Sequence, residues 1–524
     1  MAGGAIASAD RPGYDHLINR TVPWYKNSRI LLLNFWICLL LLTSSTNGYD
    51  GSMMNGLQVL DQWNRYFNFP NSSQLGLLNA IQNIGSLAAF PFAPYLSDGL
   101  GRKPSIFIGA VIMCGATALQ AASQSVGMFI GSRFMIGFGV MLAHSAAPLL
   151  VTEIAYPSQR AQLTSLYNTL WYLGSIIAAW VTFGTFRIPS TWAWRIPSAL
   201  QALPSVIQIL LIYFVPESPR WLISKGRDEQ ALNTLAYYHA NGDSSDPLVK
   251  YEFEEIKTAI SIDREISQNV GWLSLIKTPG NRRRMRIIIA IAFFSQWSGN
   301  GLVSYYLNLV FTAIGIEDKN TQLLLNGILN IFNFIVAIIA GFLCEKVGRR
   351  KLFMLSTTGM LFFWSLETAC FAAYKQYHNA AAGKAVVAWI FLYYAAYDLA
   401  FTPLIVSYTV EILPYPLRAK GFVIFNFAIS LSLIFNQYVN PTAMNKLDWK
   451  YFLVYVVWLA VEVVFCYFFI VETKNRSLEE TAALFDGDEA MDMIHEKGLE
   501  RAAGVPEGLT KRSTSGEEFG AVEK

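Results

Sequence analysis

Along the chain, apolar runs about as long as a bilayer is thick alternate with short polar breaks. A spanning helix needs about 20 predominantly apolar residues, and twelve such runs can be drawn: 30–50, 75–97, 104–123, 128–152, 163–185, 197–216, 286–312, 322–344, 352–374, 385–410, 420–440 and 450–472. The pattern predicts an all-α membrane protein with twelve transmembrane helices. A polar stretch, 217–285, separates the sixth run from the seventh and carries helix-forming text such as Asp228–Leu232 and Glu254–Lys257. The chain thus divides into an N-terminal segment 1–29, a six-helix bundle 30–216, a linker 217–285 with short helices, a second six-helix bundle 286–472 and a tail 473–524. The tail is charged and rich in Gly, Ser and Glu. It lacks the apolar surface to fold alone and is expected to be mostly disordered.

Composition agrees with lipid as part of the solvent: 53% of residues are hydrophobic and 15% charged, with a mean hydropathy of +0.34. A net charge of +3 on 524 residues gives no reason to expect nucleic acid as a partner. The five cysteines, Cys38, Cys114, Cys344, Cys370 and Cys466, fall in or beside apolar runs without the spacing of a metal site or disulfide framework. Residues 1–29 carry Arg11, Arg20, Lys26 and Arg29 and no short apolar core before a cleavage site, so the first run is expected to be a permanent helix.

Basic residues concentrate in alternate loops: Arg102 and Lys103, Arg160, Arg282–Arg284, Lys346 with Arg349–Lys351, and Arg418 with Lys420. By the positive-inside rule both termini are expected to be cytoplasmic. The opposite face then holds Asn71-Ser72-Ser73, a glycosylation candidate at Asn71; Asn19-Arg20-Thr21 and Asn475-Arg476-Ser477 also match but fall on the cytoplasmic side.

Short patterns recur in the two halves at a nearly constant offset. Asp98-Gly99-Leu100-Gly101-Arg102 is matched by Glu345-Lys346-Val347-Gly348-Arg349 (345 − 98 = 247), Glu153 with Arg160 by Glu411 with Arg418 (411 − 153 = 258), and Glu217, with Arg220 beyond it, by Glu472 (472 − 217 = 255). Two parallel six-helix repeats enclosing a central cavity are the arrangement of an alternating-access carrier. Asp98, Arg102, Glu153, Arg160, Glu217, Arg220, Glu345, Arg349, Glu411 and Arg418 are therefore expected to form a cytoplasmic gate, pairing across that face when the mouth is shut. The alternative is that the arginines serve only as positive-inside charges.

These loop patterns, with Pro216-Glu217-Ser218-Pro219-Arg220, resemble the sugar-porter branch of the major facilitator superfamily, and the match covers nearly the whole chain. The segment Ser295-Gln296-Trp297-Ser298-Gly299-Asn300-Gly301-Leu302-Val303-Ser304-Tyr305-Tyr306 is similar to the seventh-helix motif of fungal lactose and cellodextrin permeases, with Gly48–Gly51, Trp194–Pro197 and Tyr238–Asp243 in support. The resemblance implies the major facilitator fold, with its two pseudo-symmetric bundles. The tenth helix departs from many hexose porters by carrying Val406 where they place a tryptophan.

Asp50 is an acid at the end of an apolar run, where an unpaired charge costs about 2.5–3.5 kcal/mol or more. The resemblance implies that it couples transport to a proton, facing Arg133 early in the fourth helix; the alternative is a solvated turn residue just outside the membrane. Sugar hydroxyls call for amides that both donate and accept, and for aromatic faces. Gln296, Asn300, Tyr305 and Tyr306 fit, Gln296 and Asn300 being spaced i,i+4. The resemblance adds Asn168 and Asn333 as pocket amides; Asn440, before Pro441, is a further candidate. Each of these amides has the alternative of bridging helices. His144 and Asp398 are ionisable residues at membrane depth, either of them a second proton site or a substrate contact, with a core hydrogen-bonding role equally open to His144.

The expected function is therefore that of a monomeric carrier in the plasma membrane: a proton-coupled importer of a disaccharide (lactose or cellobiose type) or hexose, with the proton as coupling ion and no cofactor or metal. A non-transporting sugar sensor and a carrier of another polyol-like solute, such as quinate or inositol, remain as alternatives. An enzyme is not expected, because no phosphate loop, nucleophile elbow or metal cluster is present.

Overall fold

The computed structural model describes residues 24–269 and 271–474, together with 481, 484 and 485. The N-terminal segment before residue 24, with Asn19, and most of the tail, with Asn475, lie outside the described residues.

The helices of the two halves group, in chain order, into twelve rods among the described residues. Among the described residues, nine are long and apolar enough to span a membrane by length and composition: the first, Ser28–Leu57; the third, Arg102–Ala121; the fourth, Val126–Ile154; the sixth, Trp192–Phe214; the seventh, Pro279–Ala313; the eighth, Lys319–Gly341; the tenth, Ala380–Asp398; the eleventh, Lys420–Leu447; and the twelfth, Lys450–Phe469. The remaining three are the second (Ser72–Ala89 continued by Ala93–Leu100), the fifth (Arg160–Thr185) and the ninth (Arg349–Tyr377). Their polar content has a location. The second carries Gln82 and Asn83 and is interrupted at Pro91, the fifth begins at Arg160, and the ninth opens on Arg349-Arg350-Lys351.

Side-chain caps define several helix starts. Asn27 Oδ1 accepts from Arg29 N at 3.0 Å. Asn71 and Gln74 form a reciprocal capping box, Asn71 accepting from Gln74 N at 2.9 Å and Gln74 Oε1 accepting from Asn71 N at 3.0 Å. Asn71 is exposed at this turn. Thr278 caps the seventh helix, which begins at Pro279 rather than 286. Its first turns are the basic cluster itself, which hydropathy scores as a loop. Arg284 is nevertheless buried, its Nε donating to Ile412 O at 3.1 Å and its Nη1 to Asn281 Oδ1 at 2.8 Å.

Between the halves the linker folds into short helices, Pro219–Ser224, Asp228–His239, Pro247–Asn269 and Ser274–Lys277. It is fastened to the first half. Trp221 Nε1 donates to Asp98 O at 3.0 Å, while Glu252 lies 2.6 Å from His239 Nδ1 and 3.5 Å from Arg160 Nη2. The two halves meet where the second helix packs on the eleventh, the fifth on the eighth and the first on the seventh.

Candidate functional site

The charged turns come in two matching sets. Gly101 (φ +117°) and Gly348 (φ +105°) each end one helix and start the next. In the first half, Arg102 Nε lies 3.1 Å from Glu153 Oε2 and Nη1 lies 3.2 Å from Asp98 Oδ1, while Glu217 accepts from Arg102 N and Lys103 N, both at 3.2 Å. In the second half, Arg349 Nη2 lies 2.9 Å from Glu411 Oε1, and Glu472 accepts from Arg349 N at 2.8 Å and Arg350 N at 3.2 Å. A carboxylate on the free N–H groups of a helix start is a favourable placement. Burial raises the Glu217 carboxyl above the usual glutamate range, opposed by the three N–H groups of Ser218, Lys103 and Arg102.

These pairs lie within each half. In this structure the turns bind neighbouring helices of one repeat into a unit, Arg102 with Glu153 and Arg349 with Glu411. Arg160 reaches the linker at Glu252, Arg418 is buried, and Asp98 is largely exposed on the side of Arg102. The side chain of Glu345 lies outside the described residues.

Asp50 sits inside the first helix and is fully buried, not a solvated turn. Arg133 Nη1 is 3.2 Å from its Oδ1, and Gln201 Nε2 donates to the same oxygen at 2.7 Å. Arg133 is shared: its Nη2 donates to Gln82 Oε1 at 3.0 Å and its Nε to Leu78 O at 2.7 Å. Gln82 is the link outward, because it also lines a central cavity of about 310 Å³ between the two halves.

That cavity draws on seven helices. Nine carboxamides line it: Asn47, Gln82 and Asn83 from the first two helices, Gln296 and Asn300 from the seventh, Asn326, Asn330 and Asn333 from the eighth, and Gln437 from the eleventh. Trp171, Tyr305, Tyr394 and Tyr397 supply aromatic faces, and the described lining contains no charged side chain. Of the sequence candidates, Gln296, Asn300, Tyr305 and Asn333 meet here. Tyr306 and Asn440 do not. Tyr306 is buried behind the wall, its hydroxyl donating to Gln437 O at 2.5 Å, and Asn440 Oδ1 accepts from Tyr451 and Tyr455, each at 2.8 Å. Asn168 belongs to the fifth helix, but its side chain lies outside the described residues; Tyr172 and Ser175, farther along that helix, reach the cavity.

The i,i+4 argument for Gln296 and Asn300 fails in detail, since the seventh helix breaks between them, at Ser298 and Gly299. Both face the cavity because of the break. Missed in the sequence were Asn47, Gln82, Asn83, Asn326, Asn330 and Gln437. A signal existed for two of them: Asn326, Asn330 and Asn333 fall at i, i+4 and i+7 on one helical face.

Several bonds cross between the halves. Asn83 Nδ2 donates to Gln437 Oε1 at 2.7 Å, Ser175 Oγ to Asn330 Oδ1 at 2.7 Å, Asn55 Nδ2 to Asn326 Oδ1 at 3.2 Å and Gln58 Nε2 to Tyr305 O at 3.2 Å. Lys319 pairs with Asp61 at the end that carries loop 58–71. Asp398, fully buried at the end of Ala380–Asp398, accepts from Tyr172 Oη at 2.7 Å and from Thr402 Oγ1 at 2.5 Å. His144 lies 2.9 Å from the Tyr167 hydroxyl, in a core hydrogen bond.

The sequence profile of a family described as sugar (and other) transporter matches residues 36–485. The chain belongs to this family. Curated relatives of this sugar-transporter-family chain include a high-affinity glucose transporter of Kluyveromyces lactis, 28% identical over 460 residues, covering 83% of this chain and 81% of that protein. An arabinose-proton symporter of Bacillus subtilis is 30% identical over 424 residues (78% and 86% covered), and a quinate permease of Neurospora africana 28% over 472 (84% and 86%). Among solved structures, the inward open conformation of the xylose transporter XylE from E. coli superposes with a TM-score of 0.71 at 24% identity, covering 86% of this chain and 99% of that one. That likeness establishes the fold, which is that of XylE, a major facilitator superfamily protein.

Proposed function

We propose that this chain is a proton-coupled importer of a neutral sugar, a disaccharide of lactose or cellobiose type or a hexose, working by alternating access. The observation that carries the reading is the cavity: nine carboxamides with tyrosine and tryptophan faces and no charged side chain in its described lining. Such a wall matches many neutral hydroxyls, each of which donates and accepts. An anionic solute such as quinate would bury its carboxylate among amides without a cation, a costly arrangement. Names of relatives that include glucose and arabinose-proton transport support the same class.

Coupling follows from connectivity. Arg133 divides its donors between Asp50 and Gln82, and Gln82 faces the cavity. A proton on Asp50 removes the charge that holds Arg133, so Gln82 is free to re-aim at the sugar. Sugar and proton thereby favour the same arrangement, which is what coupling requires. The polar bonds at the loop 58–71 end hold that side closed, and each half rocks as a unit stiffened by its own Arg–Glu turn. Basic loops support cytoplasmic termini and a plasma-membrane location, and a single chain suffices for the cycle.

The test is uptake of labelled lactose, cellobiose and glucose into transporter-deficient yeast at two pH values, with and without a protonophore, for the wild type and Asp50→Asn. Saturable uptake that is faster at low pH and lost with either the protonophore or the substitution is expected. Uptake indifferent to both would make the chain a passive facilitator, and no uptake of any sugar would overturn the reading.

A further inference from the structure

The seventh helix stops at Trp297 and restarts at Asn300, with Gly299 in the left-handed region at φ +102°. A side chain there would meet the Trp364 indole at 2.6 Å. A break of this kind frees carbonyls that a continuous helix would satisfy, and in a membrane each needs another donor. Three are met from neighbouring helices: Tyr397 Oη donates to Ser295 O at 2.7 Å, Asn436 Nδ2 to Gln296 O at 2.5 Å and Tyr393 Oη to Ser298 O at 2.7 Å. Tyr394 Oη donates to Asn300 O, just beyond the break, at 2.9 Å.

Three of these donors come from one stretch of the tenth helix, Tyr393-Tyr394-Ala395-Ala396-Tyr397. The Ser298 side chain is held as well. Its hydroxyl donates to Phe294 O and lies 3.0 Å from both carboxyl oxygens of the buried Glu462. Gln296 and Asn300 stand on either side of the break, so its shape determines how the two amides converge on the cavity. Asn300 is fixed further by bonds from its Nδ2 to Ser295 O at 3.0 Å and to Tyr397 Oη at 3.2 Å.

We propose that Tyr393, Tyr394 and Tyr397 are positioning residues for sugar recognition: their hydroxyls fix the break of the seventh helix, and with it the angle at which Gln296 and Asn300 meet the sugar. The proposal rests on the sugar reading above. Tyr393 is the informative member, because it is fully buried and does not line the cavity, whereas Tyr394 and Tyr397 do.

Tyr393→Phe deletes one hydroxyl and leaves the Ser298 carbonyl without that donor. With whichever labelled sugar the wild type takes up, KM is expected to rise about tenfold, the scale of one lost buried hydrogen bond, with kcat within about twofold and surface expression unchanged. In an Asn300→Ala background the same change should add less than about twofold, since it acts through that amide. Tyr408→Phe serves as control: it removes a hydroxyl from Leu404–Ile412, the helix that follows Ala380–Asp398, where it bonds Val471 O at 3.0 Å instead of the seventh helix.

A wild-type KM in Tyr393→Phe, or a rise of equal size with and without Asn300, would overturn the proposal while leaving the sugar reading standing. Should Tyr393→Phe not reach the membrane, Tyr394→Phe takes its place, and failure of both would assign the tyrosines to packing alone. Absence of wild-type uptake sinks both readings and is seen before any variant is made.

Discussion

In the first half Arg102 follows Gly101, reaches Glu153 and donates its backbone N–H to Glu217; in the second Arg349 follows Gly348, reaches Glu411 and donates its N–H to Glu472. The two turns are built alike. The helix interiors are not. The first half buries one acid, Asp50, against a cation, Arg133. The second buries Glu367, Asp398 and Glu462; Asp398 accepts from Tyr172 and Thr402, Glu462 meets the Ser298 hydroxyl, and neither oxygen of Glu367 has a hydrogen-bond partner among the described residues. The second half also breaks its seventh and tenth helices beside the cavity. A rocker needs both halves to be stiff at the ends, so the turns repeat. If Asp50 couples the proton as proposed, the interiors divide the work, the first half carrying the charge that answers to a proton and the second the bends that shape the amide wall.

The largest expected effect strikes that difference. Arg133→Ala leaves Asp50 buried without its cation, a defect of about 3–5 kcal/mol, and little folded transporter should reach the surface. Adding Asp50→Asn removes the stranded charge and should recover much of it. Glu462→Gln, which keeps an acceptor near Ser298, should change thermal stability by less than about 1 kcal/mol. Melting temperatures of the detergent-purified variants check all three. Equal damage from Arg133→Ala alone and with Asp50→Asn would mean that Arg133 matters through Leu78 and Gln82 instead.

A middle effect probes how alike the turns are. Arg102 is the more buried of the two arginines, with side-chain exposure of 10% against 20% for Arg349. Arg102→Ala should therefore cost about 2–3 kcal/mol and Arg349→Ala about 1–2 kcal/mol, on the scale of charge-assisted hydrogen bonds discounted for exposure. The comparison breaks if Arg349→Ala is the more damaging. Because both pairs lie within a half, either variant should lower stability more than it shifts the preference for one open side, which labelling of cysteines placed at the two mouths would measure.

Most of the architecture was legible because long apolar runs and a repeated charged turn are local patterns. Asp50 with Arg133 came from a family resemblance, since 83 residues separate the two and spacing alone does not join them. The cavity wall was only partly legible. An amide inside a helix reads the same whether it faces the cavity, as Asn333 does, or braces tyrosines, as Asn440 does. The break at Gly299 also lies beyond periodicity. It turns an i,i+4 pair into two separately aimed groups, and the indole that leaves no room for a side chain at Gly299 comes from Trp364, 65 residues away (364 − 299 = 65).

The smallest expected difference lies between Gly101→Ala and Gly348→Ala. Both glycines occupy a backbone region that is essentially glycine's own, with ψ +168° and +154°, where another residue costs about 1–3 kcal/mol. A Cβ at Gly101 would stand 2.6 Å from Glu217 Oε2, and one at Gly348 would stand 2.8 Å from Glu472 Oε2. Each methyl group would push the carboxylate off the N–H groups it caps. The two variants should therefore lose stability by amounts within about 1 kcal/mol of each other, read as matched drops in melting temperature. A large drop in one and none in the other would show that only one turn bears the stress of its half, and that the repeat is conserved in shape without being equal in load.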